Sequence, residues 1–350
     1  MGAPFRSTLG RRPEKPSDYL HLDPEITVVS KNVLWILGWW EYRNGEKTLG
    51  THEYTDDPRN ANVWVSINGE LYRRPEAKVS VLDAGFLLGD GVWEAFRLHE
   101  GVLVFLEDHL DRLWHAAQVI ALEIPLSRAE LVARIEAVVK ANQMHDQVHI
   151  RLIITRGLKP TPYQAPWVIA SPPTIVIIPE HKQASLKRAV EGISLVTVDV
   201  IRGPQNAQDP RINSLSKHNC IAGCIDAERK GGEEGLMLDP HGNVATCNST
   251  HFFIVRDGEV WTSTGAYCLD GITRRKVLDI CRDNGIVAHE RDFTVEDVRT
   301  ADEAFVTGTF AGLTPVVEYD HAPMSGGVRG PMVARLQQLY IALIGRECSV

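Results

Sequence analysis

Two α/β domains are the architecture this chain predicts, and three observations lead there. The chain has 350 residues, enough for one large or two medium domains. Its composition, 44% hydrophobic and 23% charged, suits a globular protein with a sizeable core. Strand-like and helix-like segments interleave in both halves, the pattern of α/β layering. The expected division is an N-terminal extension over 1–60, a small α/β domain over 61–179, a linker over 180–186 and a larger α/β domain over 187–350.

The elements follow in chain order. The extension mixes Pro, Gly and charge, and its apolar run Val33–Trp40 is interrupted by Gly38. Val63–Ile67 reads as a strand, Asn68-Gly69 as a hairpin turn and Leu71–Arg73 as the return. Val79–Leu82 is a further strand candidate, followed by a loop, Asp83–Gly91, with three glycines. Gly101–Phe105 reads as a strand and Leu106–Leu122 as a helix. Ser127–Gln143 follows as a helix, with Ser127 as N-cap and Glu130 three residues on. Val148–Thr155 and Thr174–Ile178 are β-branched strands, and the five prolines of 159–173 make the stretch between them a loop. Pro179–Ser185 is the linker. Ile193–Ile201, Leu236–Leu238, Ala304–Thr307 and Phe252–Val255 read as strands, with a turn at Asp257-Gly258. Asn219–Lys230, Thr273–Asn284 and Pro331–Ile344 read as helices, the first two ended by glycine.

Charge and cysteine usage narrow the class. A net charge of −8 with dispersed basic residues excludes a polyanion surface, so no nucleic-acid partner is expected. Six cysteines are too few for a disulfide scaffold, and no Cys-x-x-Cys pair marks a metal site. The N-terminus is polar and Pro-rich, and Val33–Trp40 is too short to span a bilayer, so a cytoplasmic protein with no membrane partner is expected. His99, His109 and His115 have no clear partner and read as structural.

Five ordered blocks carry chemistry. They are Val79–Gly101 (VSVLDAGFLLGDGVWEAFRLHEG), Phe105–Leu113 (FLEDHLDRL), Asp209–Phe253 (DPRINSLSKHNCIAGCIDAERKGGEEGLMLDPHGNVATCNSTHFF), Leu269–Val277 (LDGITRRKV) and Ala301–Val316 (ADEAFVTGTFAGLTPV). Together they resemble the class IV aminotransferases. That pyridoxal 5′-phosphate (PLP) fold holds branched-chain and D-amino-acid aminotransferases, (R)-amine transaminases and aminodeoxychorismate lyase. The resemblance covers roughly Asn62 to Tyr319. It implies the two-domain D-amino-acid aminotransferase-like fold with the cofactor between the domains, and a homodimer in which Val33–Trp40 is a candidate interface element. It also implies amino-group transfer between an amino acid or amine and a 2-oxo acid.

By the same resemblance, Arg112, Ile272, Thr273 and Thr309 form a phosphate cup, with Gly271 and Gly308 as further cofactor-binding positions in the same two turns. The physical reasons are plain. A helix start offers backbone N–H groups to a dianion, glycine lets backbone approach closely, and arginine adds a charge-assisted contact. Trp93, Phe96 and Arg97 fall on the substrate pocket, and either Arg151 or Arg156 neutralises a substrate carboxylate, with Arg156 taken as the candidate.

Two positions depart from the family pattern. The lysine that forms the Schiff base falls on Asn213, and the glutamate that faces the pyridine nitrogen falls on Thr246; a structural asparagine falls on His251. Asparagine has no nucleophilic amine. Lys217, one turn on if the stretch is helical, is the relocated alternative. A threonine hydroxyl donates to a neutral ring nitrogen, which weakens the electron sink. Three functions stay open: an aminotransferase altered at its lysine position, a PLP lyase resembling aminodeoxychorismate lyase, and a non-catalytic PLP-binding protein.

Overall fold

The computed structural model describes Thr51 and residues 56–349. Most of the N-terminal extension, with Val33–Trp40, lies outside the described residues. Two sheets organise the rest. The first contains β1 (Trp64–Ile67), β2 (Glu70–Arg73), β3 (Gly91–His99), β4 (Val102–Leu103), β5 (Val148–Thr155) and β6 (Thr174–His181), in the order β2-β1-β6-β5-β3-β4. Every neighbouring pair is antiparallel. Asn68 and Gly69 take φ of 54° and 93°, so they turn β1 into β2 with the twist a two-residue hairpin needs.

Helices Leu106–Val119 and Arg128–Ala141 cover one face of this sheet. Their Leu110, Leu113, Leu131 and Ile135 pack with Phe96, Ile150, Leu152 and Ile177, all fully buried. Each such side chain contributes about 1.5–3 kcal/mol by leaving water. Helix Arg128–Ala141 starts with the expected capping box: Ser127 Oγ accepts from the Glu130 N–H at 3.2 Å, and Glu130 Oε2 accepts from the Ser127 N–H at 2.8 Å.

The second sheet contains β7 (Ile193–Thr197), β8 (Glu234–Leu238), β9 (Val244–Cys247), β10 (His251–Arg256), β11 (Glu259–Thr262), β12 (Ala288–Glu290), β13 (Glu303–Gly308), β14 (Gly312–Tyr319) and β15 (Ala322–Pro323). Its order is β12-β11-β10-β13-β14-β7-β8-β9, with β15 on β14. Both faces are covered, which explains the unbroken apolar run in β10. Phe253 stacks on Phe305 at 4.8 Å under helices Ile272–Asp283 and Pro331–Glu347. Phe252, Ile254, Ala304 and Val306 pack on the opposite face.

Several expected elements differ. Val79–Leu82 forms no strand; Val79, Val81 and Leu82 are exposed, and no strand among the described residues pairs with them. The loop after it contains a short helix, Ala84–Leu88, capped by the Asp83 carboxylate on the Gly85 N–H at 2.8 Å and ended by Gly89 at φ 66°. Gly101–Phe105 shrinks to the two-residue β4, and β6 runs on to His181 into the stretch read as linker. β3 is absent from the sequence reading. Its alternation is masked because Glu94 is as buried as its apolar neighbours. β7 stops at Thr197, and the chain from 201 to 217 has no regular ladder.

That irregular segment sets up the site. It is stitched to β3 by backbone bonds: the Trp93 N–H donates to Asn213 O at 3.0 Å, and the Leu215 N–H to Gly91 O at 3.0 Å. The Trp93 indole N–H adds a bond to Ser214 O at 3.2 Å. Asn213 is therefore held at the seam between the two sheets.

Candidate active site

A cavity of about 110 Å³ lies at this seam. One wall comes from the first sheet and its helix, through Trp93, Ala95, Arg112, His149 and Arg151. The other comes from turns of the second sheet, through Ser249, His251, Leu269, Gly271–Thr273 and Thr307–Phe310, with Asn213 between.

One end is built for an anion. Helix Ile272–Asp283 starts at Gly271 with no side-chain cap and no acidic residue in its first turn. Its leading N–H groups and the positive end of its dipole are thus left to a ligand. Gly271 has to be glycine, because a Cβ there would collide with the imidazole of His251. Arg112 flanks this turn. Its Nε and Nη2 donate to Glu94 at 2.7 and 2.8 Å, and its Nη1 donates to Asp270 O at 2.8 Å. One guanidinium so ties β3 to the residue before Gly271, and two of its five N–H groups remain.

The same Glu94 carboxylate takes His109 Nδ1 at 2.7 Å. Burial alone would push Glu94 up, but the charge and hydrogen bonds of Arg112, with His109, pull it down to about 2. Burial lowers His109, so its imidazole is neutral and donates through Nδ1.

The middle of the cavity is polar and uncharged. Burial holds His251 down to about 4 against its bond to Leu269, so the ring is neutral at pH 7. Its Nε2 donates to Leu269 O at 2.7 Å, which leaves Nδ1 as an acceptor. Ser249 and Thr250 both donate to Oε1 of the buried Glu234 at 2.7 Å, which fixes that turn. Burial raises the pKa of Glu234. Two buried oxygens of lining residues have no partner among the described residues: Asn213 Oδ1 and Thr307 Oγ1. Unsatisfied polar atoms in a polar cavity are a sign that a ligand supplies their bonds. The donor set therefore fits a small polar molecule with a phosphate at one end.

The other end is aromatic and cationic. The Arg151 guanidinium lies 4.1 Å from the centre of the Trp93 ring and makes no ion pair among the described residues. Burial lowers its pKa, and arginine remains charged nonetheless. His149 meets Phe310 edge-on at 5.6 Å. A carboxylate entering here would meet the Arg151 cation.

Of the residues expected from sequence, Trp93, Arg112, Asn213, Gly271, Ile272, Thr273, Gly308 and Thr309 line this cavity together. Others do not. Phe96 is core, on the opposite face of β3. Arg97 shares the face of Trp93 and Ala95 but lies one pair further along, opposite His149 in register. Arg156 follows the end of β5, and its guanidinium is taken by Asp90 at 2.6 and 2.9 Å and by Ile120 and Ala121 carbonyls. Arg151, two residues beyond His149 on one face of β5, is the arginine the cavity receives. The Thr246 hydroxyl donates to Thr250 O at 2.8 Å and is off the lining. Lys217 is also off it. No helical turn joins it to Asn213, because the helix starts only at His218. Its ammonium sits 5.5 Å from the centre of the Trp93 ring, and burial lowers its pKa to about 8. His149, Ser249, Thr307 and Phe310 are additions that the sequence reading lacks. Strand parity with Arg151 would have found His149.

A family model for amino-transferase class IV matches residues 91–319. Branched-chain-amino-acid aminotransferase-like protein 1 of Arabidopsis thaliana is 34% identical over 283 residues, which is 81% of this chain and 51% of that protein. The chain thus spans about half the length of that relative. D-alanine aminotransferase of Listeria monocytogenes is 31% identical over 81% of this chain and 97% of its own length. Among solved structures, the T.th. branched-chain amino acid aminotransferase with pyridoxamine 5′-phosphate superposes with a TM-score of 0.76 at 29% identity, covering 81% of this chain and 94% of its own.

Proposed function

The chain belongs to the amino-transferase class IV family, and on that footing we propose that it moves an amino group between an amino acid or amine and a 2-oxo acid, with PLP in the cavity at Asn213. The observation that carries this reading is that Arg112, the uncapped start of helix Ile272–Asp283 and Gly308-Thr309 all line one cavity. When bound, PLP supplies the carbonyl that carries the amino group and a ring that withdraws electrons.

The chain's own residues do the rest. Arg112 and the helix start hold the phosphate, and Glu94 orients Arg112. Arg151 takes a substrate carboxylate beside Trp93. Trp93 and Phe310 wall off water. Lys217, with its amine lowered to about 8, is the residue beside Trp93 able to accept and return a proton near neutral pH. Asn213 cannot do so, since an amide neither ionises nor attacks a carbonyl.

Asn213 also favours a second reading, a site that holds PLP without turning it over. One experiment separates the two. The purified chain is dialysed against PLP, then supplied with amino donors and 2-oxo acids, and new amino acid is measured by chromatography. Product above the PLP-only rate supports transfer. Bound PLP without product supports the second reading, and no bound PLP sinks both.

We propose a homodimer as well. The exposed Val79, Val81 and Phe86 on one short segment support it, since apolar side chains grouped on a surface mark contact sites. A monomer mass by light scattering at micromolar protein contradicts it. A division into small and large domains at 180–186 accompanies this reading, as does a cytoplasmic location, which six free cysteines support.

A further inference from the structure

We propose that this cavity takes up a proton together with its ligand, and that Glu234, lying behind the lining and joined to it through Ser249 and Thr250, is the group that receives the proton. The inference rests on the proposed cofactor site and goes beyond it.

Glu234 opens β8 and is 2% exposed. Its Oε1 accepts the Ser249 N–H at 3.2 Å, the Ser249 hydroxyl at 2.7 Å and the Thr250 hydroxyl at 2.7 Å. Both partners lead to the cavity. Ser249 is exposed and is part of the lining. Thr250 is buried behind Gly308, where an added Cβ would come 3.8 Å from the Thr250 methyl carbon. Gly308 and Thr309 are on the lining, in the turn proposed for the phosphate. At Ser249 the bonded side chain is itself lining, and at Gly308 one side chain, Thr250, stands between the lining and the carboxyl.

Glu94 and Glu234 are both buried next to this cavity, and their partners set them apart. Glu94 has the Arg112 cation and stays ionised down to about pH 2. Glu234 forms no ion pair among the described residues; its bonds come from neutral donors, and burial raises its pKa. The titratable groups that feel its charge from neighbouring elements are Cys224 on helix His218–Arg229 and Cys247 on β9. Burial and then the Glu234 charge raise both thiols, so neither is charged at pH 7. The adjacent Glu233 pairs with Arg188 at 2.6 Å. A dianion arriving at Gly308-Thr309 therefore brings negative charge towards a carboxylate that has no counter-ion. Like charges in a poorly solvated place resist each other, and a proton on Glu234 removes the conflict. The turn survives that change, because the carbonyl oxygen of a neutral carboxyl still accepts from Ser249 and Thr250. The sign follows. A bound anion raises the Glu234 pKa further, so the site binds more tightly where Glu234 is protonated and more weakly as pH rises through its pKa.

The test is isothermal titration calorimetry on the full chain with pyridoxine 5′-phosphate, a probe that has the ring and phosphate of PLP but neither aldehyde nor amine. Each titration is repeated in two buffers of different ionisation heat, which counts the protons taken up per ligand, from about pH 6 to about pH 9. A ligand that raises one group's pKa by about one unit takes up about half a proton at the maximum and binds about tenfold more weakly at the alkaline end. Both effects are expected as the difference between the parent and Glu234→Gln, which keeps the shape and cannot titrate; the probe's own titration cancels in that difference. Ser249→Ala removes a donor that favours the ionised carboxyl, so it should move the uptake to higher pH. Equal uptake in the parent and Glu234→Gln overturns the inference, and so does an uptake that Ser249→Ala leaves unmoved. Should Glu234→Gln fail to fold, the parent against Ser249→Ala decides. Binding with no proton uptake sinks the inference and leaves the cofactor site standing. No binding at any pH sinks both.

Discussion

Glu94→Gln should destabilise the protein by about 3 kcal/mol at pH 7 and remove part of its acid sensitivity. The carboxylate is fully buried and takes three hydrogen bonds, two from Arg112 and one from His109. Burial works against the charge, yet Arg112 and His109 bring its pKa from the ordinary 4.5 to about 2. At about 1.4 kcal/mol per pH unit, that interval is worth about 3 kcal/mol of stability. The folded-state pKa lies below the unfolded one, so this stability is fully present above pH 4.5 and is lost as pH falls towards 2. Glutamine keeps the shape but turns an NH2 towards the guanidinium and leaves the Arg112 charge buried without its counter-ion, a costly arrangement. Urea unfolding followed by tryptophan fluorescence, run from neutral pH down to about pH 2.5, measures both effects. Asp146 and Asp297 also have lowered pKa values, but they titrate in both proteins, so the difference curve isolates Glu94. A variant within about 1 kcal/mol of the parent at pH 7, or one with the same acid slope, refutes the reasoning.

Further outcomes are expected. Arg112→Ala should weaken PLP retention by about 2–4 kcal/mol by equilibrium dialysis, because a charge-assisted partner of the phosphate goes and Glu94 loses its arginine counter-ion. Asn213→Lys should create a borohydride-reducible PLP adduct that peptide mapping places at position 213, with faster transamination; Lys217→Ala in the parent should leave PLP binding nearly unchanged. Lys217 should react with acetic anhydride with a midpoint near pH 8, where its neutral form becomes half populated, and a midpoint at the ordinary lysine value of about 10.4 would remove it as a proton carrier.

Local signals are legible in the sequence. The Asn68-Gly69 turn and the Ser127 capping box depend on a few consecutive residues, and both form as expected. Gly271 and Thr309 both line the cavity, and each belongs to a motif that can be read from the turn that holds it. What the sequence hides depends on non-local partners. Val79–Leu82 has strand-like residues but no strand beside it among the described residues. β3 hides behind Glu94, whose burial is tolerable only because Arg112 and His109 meet it from another element. The choice between Arg151 and Arg156 turns on which side chains share a face of β5 and on Asp90 being in reach of Arg156, neither of which is visible along the chain.

The departures from the family pattern share a physical direction. At the end proposed for the phosphate, Arg112 is charged and doubly anchored, and the helix start is uncapped. Along the middle, the groups present are neutral. Asn213 is an amide, His251 is held uncharged, and the Thr246 hydroxyl is turned away to Thr250 O. Binding and chemistry therefore separate in this cavity. Contacts to a phosphate would act equally on every form of the cofactor and so would set affinity without setting rate. Rate depends on groups that change protonation near the reacting atoms, and Lys217, with its pKa lowered to about 8 by burial, sits beside Trp93 without lining the cavity. On the function proposed above, a site arranged in this way would hold its ligand firmly and turn it over slowly, because its cradle carries the charged donors and its middle carries neutral groups.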